Sequence, residues 1–460
     1  MPLLLTHGYF MYEDPKEMQI LKPYPPLGIL YLCSHLRAKG FAVDVFDSTF
    51  STREELFRHL RSETPGILGI YANLMTRKNV VEILRVAKEA GWRTVVGGPE
   101  PGAYASEYLQ AGADFVVMGE GELTMEELLT ALEAKAQDQV AKISGLAFLD
   151  EHGNLQQTAP RAQIANLDLQ PWPSRVAIDI PRYVDTWRKA HGQGSVSFIT
   201  ARGCPFKCRW CSHAVYGQTH RRRNPKLVVD EVEWLLITYS PDMVWVADDV
   251  FTINHGWIRE YAGEMRRRGL RIPFECITRA DRFNAEMADL LAELGCFRIW
   301  IGSESGSQRI LDRMDRGVRV EQVHQATELC RARGIQSGMF LMWGYEGEEI
   351  ADVEATIEHV KRAKPDVFLT TVSYPIKGTP YFEQVKDRLV QLQPWAQSSD
   401  RELELRGRRP RAYYQHADQL LRDEVALAST HDVATAAVLR QRVAEHRHAL
   451  QASAGADSHE

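Results

Sequence analysis

The sequence predicts an α/β protein of two successive strand–helix domains, the first a doubly wound parallel sheet and the second an open six-unit barrel, with a helical extension at the end. Three observations predict it. From residue 3 to about 135, short near-continuous apolar runs alternate with segments of helical period, as parallel strands buried on both faces require. The alternation stops, then resumes at Ser195 and continues to about residue 385. Beyond that the chain is charged and helical in period. At 460 residues it exceeds one ordinary core.

In the first domain, 1–135, strands are expected over 3–6, 43–46, 67–71, 94–96 and 115–118, and helices over 28–39, 53–62, 78–90, 103–111 and 123–134. Ligands of such sheets bind beyond the carboxyl ends of the strands. The loops there are glycine-rich: Gly97-Gly98-Pro99-Glu100 after the fourth strand and Gly119-Glu120-Gly121-Glu122 after the fifth. Glycine lets backbone approach a large ligand closely. Residues 136–190 read as a connector, with a hairpin of 143–149 and 155–158 turning at Asp150-Glu151-His152-Gly153-Asn154. The stiff segment Pro171-Trp172-Pro173 follows.

In the second domain, 191–385, strands are expected over 196–200, 243–247, 272–277, 298–302, 337–343 and 367–373, with helices over 227–239, 257–268, 285–294, 320–333 and 353–363. Catalytic residues of a strand–helix barrel belong at the carboxyl ends of its strands. Asp248-Asp249, Thr278-Arg279, Gly302-Ser303-Glu304, Gly344-Tyr345-Glu346-Gly347-Glu348 and Tyr374-Pro375 fall there. Residues 386–460 read as helical, one run from Arg411 to about Leu450, with Tyr413, Tyr414 and His416 either capping the barrel mouth or packing the helix down, and a disordered tail over 452–460.

Composition narrows the function. A hydrophobic fraction of 44% and a charged fraction of 25% are globular averages. No apolar run approaches the roughly 18 residues a membrane span needs, and residues 1–10 lack a cleavable signal pattern, so the expected location is the cytoplasm. A formal net charge of −6 argues against binding nucleic acid. The basic runs 221–223 and 406–411 read as solvated surface. Of seven cysteines, Cys33, Cys276, Cys296 and Cys330 sit in apolar runs, where small buried hydrophobes are the default.

The other three stand at C-x3-C-x2-C spacing: Cys204, Cys208 and Cys211, in Ala201-Arg202-Gly203-Cys204-Pro205-Phe206-Lys207-Cys208-Arg209-Trp210-Cys211-Ser212. Iron–sulfur clusters usually take four cysteines, so a three-cysteine loop leaves one iron for an exogenous ligand. The alternative is a zinc site closed by His213 or His220, since structural zinc takes four ligands. The spacing, with an aromatic residue before the last cysteine, resembles the radical S-adenosylmethionine (SAM) superfamily. That resemblance implies a [4Fe-4S] cluster on the three cysteines, with SAM chelating the open iron.

The glycine loops, with Tyr24-Pro25-Pro26-Leu27-Gly28, resemble the cobalamin-binding domain fused to many radical SAM enzymes. The first domain is then Rossmann-like, of flavodoxin type, and the second a partial (β/α)6 TIM-like barrel. The resemblance implies cobalamin held by Pro26, Leu27, Gly28, Asn73, Met75, Thr76, Gly97, Gly98, Pro99, Gly119, Glu120 and Gly121. The Asp-x-His-x-x-Gly motif that ligates cobalt in other cobalamin domains is absent, and His7 and His35 lack its context. That implies base-off cobalamin without a histidine ligand, with the loop 71–77 beneath the corrin and Asn73 or Met75 under cobalt.

For SAM, Asp248, Ser303 and Glu304 offer partners to the amine or ribose hydroxyls, Arg279 matches the carboxylate bidentately, and Trp210 packs beside the cluster or adenine. The family includes C-methylases and an anaerobic cyclase of chlorophyll biosynthesis. The implied activity is methyl transfer to an unactivated carbon of a small molecule or natural-product precursor. One SAM methylates cobalamin; a second yields a 5′-deoxyadenosyl radical that abstracts hydrogen; the substrate radical takes the methyl group from methylcobalamin. An electron donor such as flavodoxin or ferredoxin is implied. Alternatives with the same cofactors are oxidative cyclisation, ring contraction or dehydrogenation. From other classes come a non-catalytic cobalamin or redox sensor and a zinc-stabilised binding protein.

Overall fold

The computed structural model describes residues 2–453. The chain divides into two compact units. The first comprises Met1–Pro205, Ser212–Trp245 and Gln393–Glu402; the second comprises Phe206–Cys211, Val246–Leu392 and Leu403–Glu460.

The first unit is built on a sheet of β1 (Leu3–His7), β2 (Val43–Val45), β3 (Ile67–Tyr71), β4 (Arg93–Gly97), β5 (Phe115–Val117), β6 (Leu146–Leu149) and β7 (Leu155–Gln157), in the order β2-β1-β3-β4-β5-β6-β7. The first five run parallel, in the flavodoxin-like order whose topological switch lies between β1 and β3. Period-two alternation divides their side chains between two cores. Leu4, Leu68, Ile70, Val96 and Val116 face the helices Arg53–Ser62, Arg77–Glu89 and Ala105–Gln110. Leu3, Leu5, Ile67, Val95, Phe115 and Val117 face Leu27–Ala38 and Gly121–Glu133. With both faces covered, the strands carry no polar face, which is why they read as apolar runs.

Two features of the expected connector are different in the structure. Its hairpin does form, but β6 pairs antiparallel with β5 and extends the first sheet. A helix, Ile180–His191, also stands there, capped by Asp179 and led by Pro181. Two more strands, β8 (Ser195–Phe198) and β11 (Met243–Val246), follow, with the two-residue strands β9 (Ala201–Arg202) and β10 (Arg221–Arg222) paired antiparallel between them.

In the second unit β12 (Phe274–Thr278), β13 (Cys296–Glu304), β14 (Gln336–Trp343) and β15 (Val367–Val372) run parallel. The helices His255–Arg267, Ala285–Leu294, Val320–Arg331 and Ile350–Ala363 alternate with them. All six strands expected of the second domain are thus formed. A short antiparallel pair, β16 (Leu389–Val390) and β17 (Glu404–Leu405), precedes the C-terminal helices.

The expected single C-terminal run is two helices, Arg411–Ser429 and Val433–Ala452. Asp432 ends the continuity: its carboxylate accepts the Thr435 N–H at 2.8 Å and starts a new helix. Tyr413 and Tyr414 are buried, as packing residues are. Of the tail expected to be disordered, Ala452 is helical and residues 454–460 lie outside the described residues. No helix among the described residues is long and apolar enough to cross a membrane.

Candidate active site

The carboxyl ends of β1, β3, β4 and β5 present the loops singled out by sequence. Gly98 is obligatory: its φ is +122° and an added Cβ would lie 2.3 Å from the Ala72 carbonyl oxygen. The loops after β3 and β4 therefore touch backbone to backbone, which only glycine permits. Asn73 organises the loop after β3, its side-chain oxygen accepting the N–H groups of Met75 at 2.9 Å and Thr76 at 3.1 Å. Thr76 is buried, whereas Met75 is 60% exposed. Leu27 is buried, and Gly28 is exposed beside the Tyr71 ring. Neither His7 nor His35 is idle: His7 bonds Asp47 at 3.0 Å, and His35 bonds Glu126 at 2.8 Å and Gln170 at 3.0 Å.

Glu120 is committed to ion pairs. It accepts from Arg202 at 2.8 Å and Arg221 at 2.7 Å, and Arg202 also reaches Glu122 at 2.6 Å. Arg223 pairs with Glu231 at 2.7 Å, as does Arg175. The run 221–223, expected to be solvated, is therefore buried or half-buried, with Arg221 and Arg223 paired to internal carboxylates and Arg222 Nε donating to Thr200 Oγ1 at 2.9 Å. Arg408 in the run 406–411 departs from the same expectation, with Nε and Nη2 buried.

Pairing of β9 with β10 closes the base of the cysteine loop. Gly203, at φ +85°, allows the closure, since a Cβ there would lie 2.3 Å from the Thr219 carbonyl oxygen. Cys204 is half-buried, Cys208 buried and Cys211 exposed. Within the second unit the Cys211 N–H donates to the Cys208 carbonyl at 3.2 Å. Arg209 is fixed on both sides, its N–H on the Met314 carbonyl at 3.0 Å and its carbonyl on the Tyr381 N–H at 2.9 Å. Trp210 packs against the Ile310, Met314 and Tyr381 core.

Two guanidinium groups face the Cys208 sulfur. Arg279 Nη1 lies 3.8 Å from it and Arg316 Nη1 3.7 Å. Arg279 is held by Asp281 at 2.9 Å, the Arg316 carbonyl at 2.8 Å and the Phe206 ring, 3.5 Å from centroid to Cζ. Burial and the Arg316 charge lower its pKa from the ordinary arginine value. Two buried cations against one sulfur demand an anion there, and a thiolate ligand of an iron–sulfur cluster supplies it. The residues fit the cluster on this ground. Among the described residues no group of three His, Cys, Asp or Glu is already closed around a metal position. No motif marks Arg316, and nothing in the cysteine stretch marks Phe206 as the platform for Arg279. Arg316 stands 108 positions from Cys208, in no recognisable spacing.

The remaining predicted SAM residues lie at strand ends. Asp248 is buried, and its charge together with burial raises the pKa of Asp249. Glu304 ends β13 in the left-handed region at φ +64°, beside a register shift. Its carboxylate lies 3.7 Å from Arg316, and burial raises its pKa. A non-glycine residue held there is strained, and such strain gathers at functional sites. Ser303 Oγ is bonded to His359 Nε2 at 2.8 Å.

Comparison with known proteins agrees with this geometry. Residues 198–360 match the Radical SAM superfamily, and residues 19–129 match the B12 binding domain. An uncharacterised methyltransferase of Pyrococcus horikoshii is 31% identical over 373 residues, 78% of each chain. The anaerobic magnesium-protoporphyrin IX monomethyl ester cyclase of Rubrivivax gelatinosus is 24% identical, covering 81% of this chain and 68% of its own. Among solved structures, the radical SAM methyltransferase TsrM from Kitasatospora setae, with cobalamin and a [4Fe-4S] cluster bound, superposes with a TM-score of 0.75 at 19% identity, over 98% of this chain and all of its own. Its likeness is one of fold. With the two matched domains in one chain and a relative above 30% identity along most of its length, this protein belongs to the radical SAM enzymes that carry a B12-binding domain.

Proposed function

We propose that this enzyme places a methyl group on an unactivated carbon of a small molecule or natural-product precursor, using base-off cobalamin without a histidine ligand. The carrying observation is the Arg202 ion-pair set. One guanidinium, two residues before Cys204, grips both carboxylates of the Gly119-Glu120-Gly121-Glu122 loop. The cysteine loop and the end of β5 are thereby anchored to a single buried charge. The relative from Pyrococcus horikoshii, named as a methyltransferase, supports the reaction type.

When bound, the cluster and SAM supply a carbon radical and cobalamin supplies the methyl group. The chain's part is placement. Residues 1–135 would hold cobalamin and residues 191–385 the cluster and SAM, with 136–190 connecting them and 386–460 a helical extension. Cys204, Cys208 and Cys211 would hold the cluster. Arg279 and Arg316 would offset the negative charge of the cluster at Cys208. Asp248, Glu304, Ser303 and Trp210 would receive SAM, Ser303 with its hydroxyl already oriented by His359. Backbone at Pro26, Leu27, Gly28, Gly97, Gly98, Pro99, Gly119 and Gly121 would receive the corrin. Asn73 and Thr76 shape the loop that would lie beneath it, and Asn73 or the exposed Met75 would stand on the cobalt side. Glu120 anchors its loop through Arg202 and Arg221. A cytoplasmic flavodoxin or ferredoxin would reduce the cluster.

Metal content of anaerobically purified protein, followed by turnover with methyl-deuterated SAM, tests this reading. About four irons and one cobalt per chain and a heavier product are expected. Iron without cobalt overturns the corrin assignment. An unlabelled product moves the reaction to cyclisation or dehydrogenation.

A further inference from the structure

The segment Gln393–Glu402 belongs to the first compact unit, although Leu392 before it and Leu403 after it belong to the second. Two single helical turns, Trp395–Gln397 and Asp400–Glu402, shape this strap. It is seated by Arg77, which opens the helix Arg77–Glu89 directly after Thr76. Arg77 Nε donates to Glu100 at 2.7 Å, Nη2 to Asp400 at 2.6 Å and Nη1 to the Ser398 carbonyl at 3.0 Å. Its guanidinium lies 4.5 Å from the Tyr104 ring and 5.2 Å from the Trp395 ring. Each carboxylate takes a second donor: Tyr108 Oη on Glu100 at 2.6 Å, and Tyr104 Oη on Asp400 at 2.6 Å. Arg77, Glu100 and Asp400 are each at most 7% exposed. The next residue of the strap, Arg401, is exposed and reaches the loop after β3, its Nη1 3.3 Å from Met75 Sδ.

One buried cation thus joins stretches that lie far apart in sequence. Arg77 closes the loop 71–77, Glu100 closes the Gly97-Gly98-Pro99-Glu100 loop, and Asp400 stands 323 positions beyond Arg77. The first two are loops that would hold the corrin, and they already meet where Gly98 passes the Ala72 carbonyl. A buried ion network adds little net stability, because desolvation offsets the attraction, and apolar side chains of similar volume would seat the strap as firmly. What a fully hydrogen-bonded network adds is one fixed arrangement of its members, and here the members are the ends of both loops. The Arg401–Met75 contact is not a stabilising device either, since exposed contacts contribute little. It nonetheless holds the one side chain of the loop that is 60% exposed.

We propose that the strap 393–402 is part of the cobalamin site, with Asp400 a positioning residue for the loops 71–77 and 97–100 and Arg401 a positioning residue for Met75. The inference rests on the proposed function, whose cofactor it shares. It extends that cofactor's site from residues 1–135 to a segment near residue 400. Trp395 and Ser398 seat the strap on Arg77; Asp400 and Arg401 carry its position to the loops.

The test uses the full-length protein with its cluster in place, dialysed anaerobically to equilibrium against hydroxocobalamin. Tm and iron content are measured on the same samples. Wild type is compared with Asp400→Asn, Arg401→Gln and Leu60→Ala. Leu60 is the control for stability alone. It is buried, and its carbonyl accepts the Trp92 indole N–H at 2.8 Å, beside the amino end of β4 and so at the opposite end of the sheet from the loops. Asp400→Asn, which removes a charged partner, should weaken cobalamin binding about tenfold or more. Arg401→Gln should weaken it about threefold with Tm unchanged, a result that a merely structural strap would not give. Leu60→Ala should lower Tm and leave the affinity of the folded protein as in wild type. Iron content should hold throughout. Should Asp400→Asn fail to fold, Arg401→Gln carries the test. Wild-type affinity in the strap variants overturns the proposal and leaves the cofactor assignment standing, and so does an equal loss of affinity in Leu60→Ala. Failure of wild type itself to take up cobalamin overturns the proposed function and this inference with it.

Discussion

Arg202 donates to Glu120 at 2.8 Å and to Glu122 at 2.6 Å, with all three side chains at most 8% exposed. The two carboxylates raise the arginine pKa above its ordinary value against the opposing effect of burial. Breaking a buried pair strands a charge, at a cost of roughly 3–5 kcal/mol. Arg202→Met should therefore lower unfolding stability by about 3 kcal/mol or more in urea titration, and reduce iron incorporation because the base of the cysteine loop loses its tether. The exposed pair Arg85–Glu89 provides the control. Arg85→Ala should cost less than about 1 kcal/mol. Equal effects in the two variants would sink the argument.

Gly98→Ala tests the strand-end cradle. The alanine methyl has no room against the Ala72 carbonyl, and φ is +122°. Strain of this kind costs about 1–3 kcal/mol, and the loops after β3 and β4 must part to relieve it. Cobalt retention after desalting should fall while iron content holds. A variant that retains both metals would show that these loops do not meet the corrin.

Arg279 and Arg316 should set the potential of the cluster. Removing either positive charge beside Cys208 favours the oxidised cluster, so the midpoint moves to more negative values. The Coulomb law at an effective dielectric of about 20 makes the shift on the order of a hundred millivolts. Redox titration of Arg316→Gln, followed by electron paramagnetic resonance, reads it directly. A positive shift, or none, would remove the electrostatic role.

The parts of this protein legible in sequence are those whose physics is local. Strands such as Leu3–His7 and Ile67–Tyr71 announce themselves because both faces are buried and every position is apolar or small. The three cysteines are legible because a cluster needs its ligands on one short loop. Charge pairing is not local. Arg202 and Glu120 are 82 positions apart, and Arg221 and Glu120 are 101. A basic run with distant acidic partners reads in sequence like any solvated run. The same holds for Arg408, whose setting is made by β14 and β15. The helix break before Val433 did have a local signal, Asp432 three positions before Thr435, but one cap is easily lost within a long helical pattern.

Glu348 gives the enzyme a pH signature. Burial, the largest influence, and Asp352 raise its pKa to about 8, against the Gly344 N–H, Arg408 and Arg309, which lower it. Tyr413 and Tyr414 of the helix Arg411–Ser429 are the titratable neighbours on the other side, and burial holds both phenols neutral through this range. A carboxyl whose pKa is raised by folding binds its proton more tightly in the folded chain. Its stabilising contribution is complete below the unfolded value near 4.5 and declines as pH rises to about 8. With Glu348 itself only half-buried, the decline amounts to about 1–3 kcal/mol. Wild type should therefore lose stability relative to Glu348→Gln across this window and run parallel to it above. Urea titrations at several pH values for both proteins check this. A stability difference that does not change with pH would return Glu348 to the ordinary carboxylate range.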